Sequence, residues 1–258
     1  MPDTIVVKIG GSTLGSHDTT LADVAELAQR GLRVVVVHGG GALISDWLKR
    51  LDVPTRFERG LRVTDEASLR VVVAILAGLV NKELVASLQA LGSNAVGLSG
   101  ADGGTLRCRI ADGTLGFVGE VAEVDAAVVR SVLDSGAVPV IAPVGIRYEG
   151  GNATGQLLNI NADTAAGAIA AALGAKWLVF MTDVAGVKSD GHVLQTLSEP
   201  ETRVLIESGT VEGGMIPKVE ACLAAARSGA RSVIVDGREA NALVGLIDGA
   251  KTGTVLTT

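Results

Sequence analysis

The sequence predicts an α/β protein, a three-layer α/β/α sandwich with a mainly parallel central sheet. Short apolar runs rich in β-branched residues alternate with helical patterns along the 258 residues, and such alternation is typical of βαβ units. The runs are apolar throughout and do not alternate with polar residues, which indicates strands covered on both faces. Hydrophobic residues make up 48% of the chain and aromatic residues 2%, so the core is expected to consist of Val, Leu, Ile and Ala.

The predicted strands are residues 5–9, 33–37, 95–98, 138–141, 177–181 and 232–235. The predicted helices are residues 20–30, 42–51, 64–91, 125–135, 163–173, 200–208 and 217–228. In the longest helix Thr64 is placed as the N-cap, and Asp65 and Glu66 stabilise the positive helix end. Residues 53–63 and 105–118 interrupt the alternation and are predicted as hairpins. A boundary near Gly174 divides the chain into lobes of residues 1–173 and 174–258.

The composition argues against several classes of partner. The net charge is −6 and no basic run occurs, so nucleic acid is not an expected ligand. Cys108 and Cys222 are too few for a disulfide framework or a zinc site, and suit a reducing compartment. No secretory leader precedes the first strand, and the longest apolar run, residues 71–80, is far shorter than the roughly 18 residues of a membrane span. We expect a cytoplasmic protein without membrane contacts.

Three glycine-rich segments follow predicted strands, at Gly10–Gly11, residues 39–41 and residues 183–186. Ligands of open α/β sheets bind beyond the carboxyl ends of the strands, where exposed amides attract anions. The motif G-x-x-x-x-G-K-[ST] is absent, which excludes a P-loop protein. The run after His38 has Ile44 where a dinucleotide fingerprint requires its third glycine. The sequence therefore predicts a phosphate site of another kind.

Two lysines occupy positions that are unfavourable without an anion. Lys8 lies within an otherwise apolar strand, where an ammonium group is expensive to bury. Lys218 lies at the start of an Ala-rich helix, where its charge adds to the positive helix end. Asn161 and Asp163 begin another helix, and capping of that helix would be enough to explain them. Arg62, considered without its neighbours, would be interpreted as a surface residue.

Eight segments of the chain resemble acetylglutamate kinases of the amino-acid kinase family in order and spacing. They are residues 8–11, 38–41, 60–64, 81–82, 98–102, 158–163, 182–186 and 213–218. The first and last segments are shared across the wider family, whereas the motifs Gly-Leu-Arg-Val-Thr and Asn-x-Asn-Ala-Asp are restricted to fewer members and point to acetylglutamate. The resemblance covers essentially the whole chain and implies the amino-acid kinase, or carbamate kinase-like, fold.

The resemblance implies phosphorylation of the γ-carboxylate of N-acetyl-L-glutamate by ATP, a step of arginine biosynthesis. Lys8 and Lys218 would stabilise the moving phosphoryl group, Asp163 would hold both lysines, and amides of Gly11 and Gly40 would donate to phosphoryl oxygens. Gly40, Gly41, Arg62 and Asn159 would bind the amino acid, with Arg62 on its α-carboxylate. The implied ATP-binding residues are Gly10, Thr182, Asp183, Val184, Ala185, Gly186, Val187, Lys188, Thr210, Val211 and Glu212. Residues 1–173 would bind the amino acid and dimerise, and residues 174–258 would bind ATP.

Elementary chemistry agrees with these roles. A γ-carboxylate has a pKa near 4 and is already ionised, so no general base is required. Mg²⁺ is expected on the nucleotide phosphates, with no protein carboxylate as its clear ligand. The His38 side chain is expected to be structural.

The sequence leaves other functions open. They are a sister kinase acting on a carrier-bound aminoadipate or glutamate, a non-catalytic sensor on the same fold, and a nucleotide-dependent oxidoreductase. A homodimer is expected, because Val71, Val72, Val73, Ile75 and Leu76 cannot all face one core. Arginine is not expected to inhibit, since only three residues precede the first strand, where inhibited relatives carry an extra helix.

Overall fold

The computed structural model describes residues 3–10, 19–58 and 60–258. Its strands are β1 (Thr4–Ile9), β2 (Arg33–His38), β3 (Phe57–Glu58), β4 (Leu61–Arg62), β5 (Ala95–Ser99), β6 (Leu106–Ile110), β7 (Val118–Val124), β8 (Val138–Ala142), β9 (Val144–Glu149), β10 (Asn152–Ile160), β11 (Trp177–Thr182), β12 (Lys188–Ser189), β13 (His192–Val193), β14 (Thr196–Ser198), β15 (Arg231–Asp236) and β16 (Thr254–Thr257). Its α-helices are α1 (Thr20–Gln29), α2 (Gly41–Arg50), α3 (Glu66–Val73), α4 (Asn81–Ala90), α5 (Ala127–Asp134), α6 (Ala162–Leu173), α7 (Glu199–Glu207), α8 (Met215–Arg227) and α9 (Ala242–Ile247). A π-helical segment, Ala74–Val80, joins α3 to α4.

The central sheet has the strand order β14-β16-β15-β11-β1-β2-β8-β5. Strands β15, β11, β1, β2, β8 and β5 are parallel to one another, whereas β16 runs antiparallel to β15 and parallel to β14. The predicted mainly parallel sheet is therefore confirmed. Because β1 lies between β2 and β11, the sheet is continuous across residue 174, and the division into two lobes stays a prediction.

Helices cover both faces of this sheet and create two hydrophobic cores. Ile5, Val7 and Ile9 face a core shared with α1, α2, α3, α4 and α9. Val6 faces the other core, shared with α5, α6, α7 and α8. Since successive strand residues point to opposite faces, Lys8 points to the same face as Val6. This alternation places the lysine opposite the first turn of α6.

The long helix predicted from Thr64 begins two residues later. Asp65 is its N-cap and accepts a hydrogen bond from the Ser68 amide at 2.8 Å. By length and composition alone, Glu66–Ala90 could cross a membrane, with a mean hydropathy of 1.9 over its most apolar part. However, Leu76, Leu84 and other residues of this helix pack into the first core, as expected of a core helix in a globular protein.

The two predicted hairpins had different outcomes. The first is confirmed, because Phe57 pairs with Arg62 across the short antiparallel strands β3 and β4. The second, residues 105–118, forms only part of a larger element. Strand β6 pairs with β7, and both join β9 and β10 in a small closed barrel of order β10-β7-β6-β9. The barrel lies beside the amino-terminal end of α6, because β10 leads directly into that helix.

Candidate active site

Two lysines meet on one buried carboxylate. The Lys8 Nζ atom lies 2.7 Å from Oδ1 of Asp163, and the Lys218 Nζ atom lies 3.0 Å from its Oδ2. Lys8 and Asp163 are 6% and 4% exposed. Burial lowers the pKa of Lys8, and the negative charge of Asp163 opposes that shift. The arrangement holds two positive charges against one negative charge, so the cluster lacks one anion for neutrality.

Close helix packing brings Lys218 to this carboxylate. Gly167 lies one turn after Asp163 in α6, and a Cβ atom added there would come 3.0 Å from both the Cβ and the carbonyl oxygen of Ala221 in α8. A side chain at position 167 would therefore force the two helices apart. Lys218 lies one turn before this contact and also donates to the Gly214 carbonyl at 3.1 Å.

A pocket of about 190 Å³ lies next to this cluster, between the amino-terminal ends of α2 and α6. Among its lining residues are Gly40, Gly41, Arg62 and Asn159, the four predicted substrate ligands. No side chain of the described residues caps the start of α2, so the first amides of this helix remain available. An uncapped helix start with a glycine backbone is a favourable anion site.

Arg62 is the positive group inside the pocket. Its Nη2 atom donates to the Gly41 carbonyl at 3.0 Å and to Ser45 Oγ at 2.8 Å, and Phe57 stacks against its guanidinium at 4.7 Å. Its Nη1 atom is buried without a hydrogen-bond partner in the described part of the chain. A buried donor of this kind is expensive to leave unpaired, so the guanidinium is set up to receive an anionic ligand.

His38 orients the glycine segment that follows β2. The Gly39 carbonyl can only accept, so Nδ1 of His38 carries the proton and donates to it at 2.9 Å. The Nε2 atom then accepts from Asn81 Nδ2 at 3.2 Å. Burial lowers the pKa of His38 to about 4, so the ring is neutral at neutral pH. These contacts support the expected structural role of the side chain.

Three of the predicted ATP residues lie at one edge of the sheet, and their role in ATP binding stays a prediction. The Gly10 amide donates to the Met181 carbonyl at 3.2 Å, which joins the carboxyl ends of β1 and β11, and Thr182 and Asp183 follow at the same edge. The charge of Asp183 also acts on Lys8. The other predicted residues are Val184, Ala185, Gly186, Val187, Lys188, Thr210, Val211 and Glu212, and their assignment to ATP stays a prediction. Gly11, a predicted phosphoryl ligand, lies outside the described residues.

Sequence reasoning missed three side chains of this site. Ser45 and Phe57 hold the guanidinium of Arg62, and the Thr64 hydroxyl contacts Asn159 at 3.0 Å. Ser45 lies four residues after Gly41, in the helix that follows the glycine segment, but serine is too common on helix surfaces for that position to signal a role. Thr64 was within a recognised motif and was assigned to the helix cap instead.

Comparisons with known proteins agree with this geometry. Residues 3–236 match the profile of the Amino acid kinase family. A protein named acetylglutamate kinase from Dehalococcoides mccartyi is 44% identical over 254 residues, which cover 98% of this chain and 93% of the relative.

Solved structures show the same architecture. The structure of smu.665 from Streptococcus mutans UA159 superposes with a TM-score of 0.84 at 31% identity, covering 100% of this chain and 99% of that one. Carbamate kinase from Giardia lamblia bound to AMP-PNP superposes with a TM-score of 0.71 at 16% identity, covering 99% and 98%. The second likeness supports the fold alone.

Proposed function

Because this chain belongs to the amino acid kinase family, we propose that it transfers the γ-phosphate of ATP to the γ-carboxylate of N-acetyl-L-glutamate. The products are N-acetylglutamyl phosphate and ADP. One observation carries the proposal: a buried carboxylate holds two lysines beside a pocket that contains a guanidinium nitrogen without a hydrogen-bond partner among the described residues. The name of the relative from D. mccartyi supports acetylglutamate as the acceptor.

The acceptor needs no base. A side-chain carboxylate with a pKa near 4.3 is ionised at neutral pH, so one of its oxygens attacks the γ-phosphorus directly. The bond from phosphorus to the bridging oxygen breaks, and its electron pair leaves with ADP. The obstacle is repulsion between the anionic acceptor and the polyphosphate, which makes positioning and charge neutralisation the main tasks of the protein.

Lys8 and Lys218 perform the neutralisation. The Asp163 carboxylate fixes both ammonium groups within 3.0 Å of its oxygens, so they need little reorganisation when charge develops on the phosphoryl oxygens. The first amides of α2, at Gly40 and Gly41, would donate to the same oxygens and to the acceptor carboxylate. Helix α6 begins beside them, and its dipole adds to the positive potential.

Arg62 is the proposed partner of the α-carboxylate. Its Nη2 atom is held by Gly41 and Ser45, which leaves Nη1 for the ligand. A guanidinium and a carboxylate form a directional, charge-assisted pair. The acetyl group of the substrate would occupy the remaining apolar part of the pocket, near Phe57 and Leu76.

ATP would bind at the carboxyl edge of β1 and β11, with its phosphates toward Gly10 and Lys8. The residues proposed to surround it are those of 182–188 and 210–212. We place Mg²⁺ on the nucleotide phosphates, because the described residues contain no group of three or more His, Cys, Asp or Glu side chains that could hold a metal ion. There it would neutralise phosphate charge during transfer.

A hydroxylamine-trap assay tests the proposal. The protein is mixed with ATP, Mg²⁺ and N-acetylglutamate, glutamate, aspartate, carbamate or uridylate in turn, and hydroxamate formation and ADP release are measured. We expect turnover of N-acetylglutamate and little of free glutamate, because a charged ammonium would enter the space of the acetyl group. Equal turnover of the two would contradict the assignment, and a chain that binds but never phosphorylates would be a sensor.

A further inference from the structure

The hydroxyl group of Thr64 lies between two residues that are proposed to bind the substrate. Its Oγ1 atom is 2.9 Å from the Arg62 carbonyl oxygen and 3.0 Å from Nδ2 of Asn159. The residue is fully buried. Since Asp65 caps the following helix, the hydroxyl is not used for the capping role that the sequence suggested.

The backbone around Thr64 is fixed on both sides. Its amide donates to the Leu115 carbonyl at 2.9 Å, and its carbonyl accepts from the Phe117 amide at 2.7 Å. The Phe117 carbonyl in turn accepts from the Asn159 amide at 2.9 Å. Gly116 has φ 68, and a Cβ atom there would come 2.3 Å from the Thr64 carbonyl oxygen. Two distant segments, residues 115–117 and the end of β10 at Asn159, therefore hold the backbone of Thr64 in one place.

The proton count then fixes the orientation of the Asn159 amide. A hydroxyl carries one proton, and the Arg62 carbonyl, which can only accept, takes it. The lone pairs of Thr64 Oγ1 must therefore receive a donor, so the NH₂ end of the Asn159 side chain faces Thr64. The carbonyl end of that side chain has no hydrogen-bond partner among the residues that the structure describes, and Asn159 lines the same pocket as Arg62.

We propose that Thr64 is a positioning residue that presents the Asn159 Oδ1 atom as an acceptor for the amide N–H of the bound substrate. This inference rests on the proposed function. The substrate would then need a hydrogen-bond donor at the position of its α-nitrogen. An acceptor atom at that position would leave Asn159 Oδ1 without a hydrogen bond and would repel it, because two lone pairs would face each other. The same hydroxyl fixes the Arg62 carbonyl, so one side chain aligns both ends of the recognition site.

The test compares N-acetyl-L-glutamate with its ester analogue, 2-acetoxyglutarate, in which oxygen replaces the N–H. Binding by calorimetry and turnover by the hydroxylamine trap are measured for wild type, Thr64→Val and Thr64→Ser. We expect wild type to prefer the amide by about 10–100-fold. Thr64→Val should raise the KM for N-acetylglutamate about tenfold, leave the KM for ATP unchanged and reduce the preference to within about threefold. Thr64→Ser should retain the wild-type preference.

A loss of the preference for the amide distinguishes a positioning role of Thr64 from general damage to the pocket, because a loosened pocket weakens the binding of both ligands equally. If Thr64→Val does not fold, as judged by circular dichroism, Asn159→Ala replaces it and should bind the amide and the ester equally. Two results would overturn this inference while leaving the proposed function intact. One is wild-type turnover of N-acetylglutamate without a preference over the ester, and the other is an unchanged preference in the folded Thr64→Val variant. Wild type that neither binds nor phosphorylates N-acetylglutamate would overturn the proposed function with it.

Discussion

The ammonium group of Lys8 lies 2.7 Å from the Asp163 carboxylate although both side chains are more than nine-tenths buried. Removing one member of a buried ion pair leaves the other charge without compensation. Burial already lowers the pKa of Lys8, and Asp163 is the strongest group that raises it. The protonation of the lysine therefore depends on this carboxylate.

Asp163→Asn should lower the pKa of Lys8 further, because it removes the carboxylate that raises this pKa. We expect kcat to fall by at least about 10², since both lysines lose their anchor. The residual rate should increase as the pH is lowered within the range where the substrate carboxylate stays ionised, because a smaller fraction of Lys8 is then deprotonated. Asp248→Asn on the surface is the control. A variant whose pH profile runs parallel to wild type would show that Asp163 does not set the lysine protonation.

Lys8→Ala and Lys218→Ala should each reduce kcat more than they raise either KM. Each removes a donor that acts mainly in the transition state, so the loss should be on the order of 10²–10³. Steady-state kinetics with both substrates measure the two constants, and Lys49→Ala, on the exposed face of α2, is the matched control. If either variant keeps more than about half of the wild-type kcat, that lysine has only a structural role.

Arg62→Lys should raise the KM for N-acetylglutamate and leave the KM for ATP nearly unchanged. The Arg62 guanidinium holds Gly41 and Ser45 through one nitrogen and keeps the other for the ligand, and a single ammonium cannot make both sets of contacts. We expect an increase of about 10–100-fold. Arg56→Lys, an exposed neighbour in the same hairpin region, is the control. A raised KM for ATP would instead place Arg62 in the nucleotide site.

His38 should make the protein less stable in mild acid. Its pKa is about 4 in the folded state and near 6.5 in an unfolded chain, so the unfolded state binds more protons between these values. From this group alone, the free energy of unfolding should fall by about 1–2 kcal/mol from pH 7 to pH 5.

His38→Gln should lose this part of the pH dependence, because glutamine can accept from Asn81 without titrating. Urea unfolding at pH 7 and pH 5 measures it, with His192→Gln on an exposed hairpin as control. Identical differences between the two pH values in wild type and His38→Gln would contradict the assigned pKa.

The sequence predicted most of the central sheet, because buried parallel strands are continuous apolar runs that need no partner to be recognised. The four-stranded barrel was missed except for one hairpin. Strand β10 begins with exposed polar and glycine residues, and its pairing with β7 joins segments that are distant in the sequence. The π-helical segment Ala74–Val80 carried no local signal either, since its composition is that of any apolar helix.

The same distinction applies to the site: residues with a local sequence signal were predicted, and residues placed by contacts with distant segments were not. Lys8 and Lys218 stood out because their charges were locally unfavourable, and the structure brings both to Asp163. Thr64 was assigned to the helix cap because capping preference is a local property. Its contacts with residues about fifty and ninety-five positions away outweigh that preference, so Asp65 takes the cap and the hydroxyl serves the pocket.

The helix Glu66–Ala90 is expected to mediate self-association. Only 39% of its most apolar stretch is buried within one chain, and Val73 and Ala74 border a groove that Phe117 and Leu157 also line. Exposed apolar surface of this kind favours a two-fold interface with a second copy. We expect light scattering to give twice the mass of one chain for wild type and a single-chain mass for Val73→Glu, because a charge buried at the interface would be unpaired. Val204→Glu, at an exposed apolar position on α7, introduces the same charge elsewhere and should remain a dimer. A wild-type monomer at micromolar concentrations, or a Val73→Glu dimer, would place the interface on another surface.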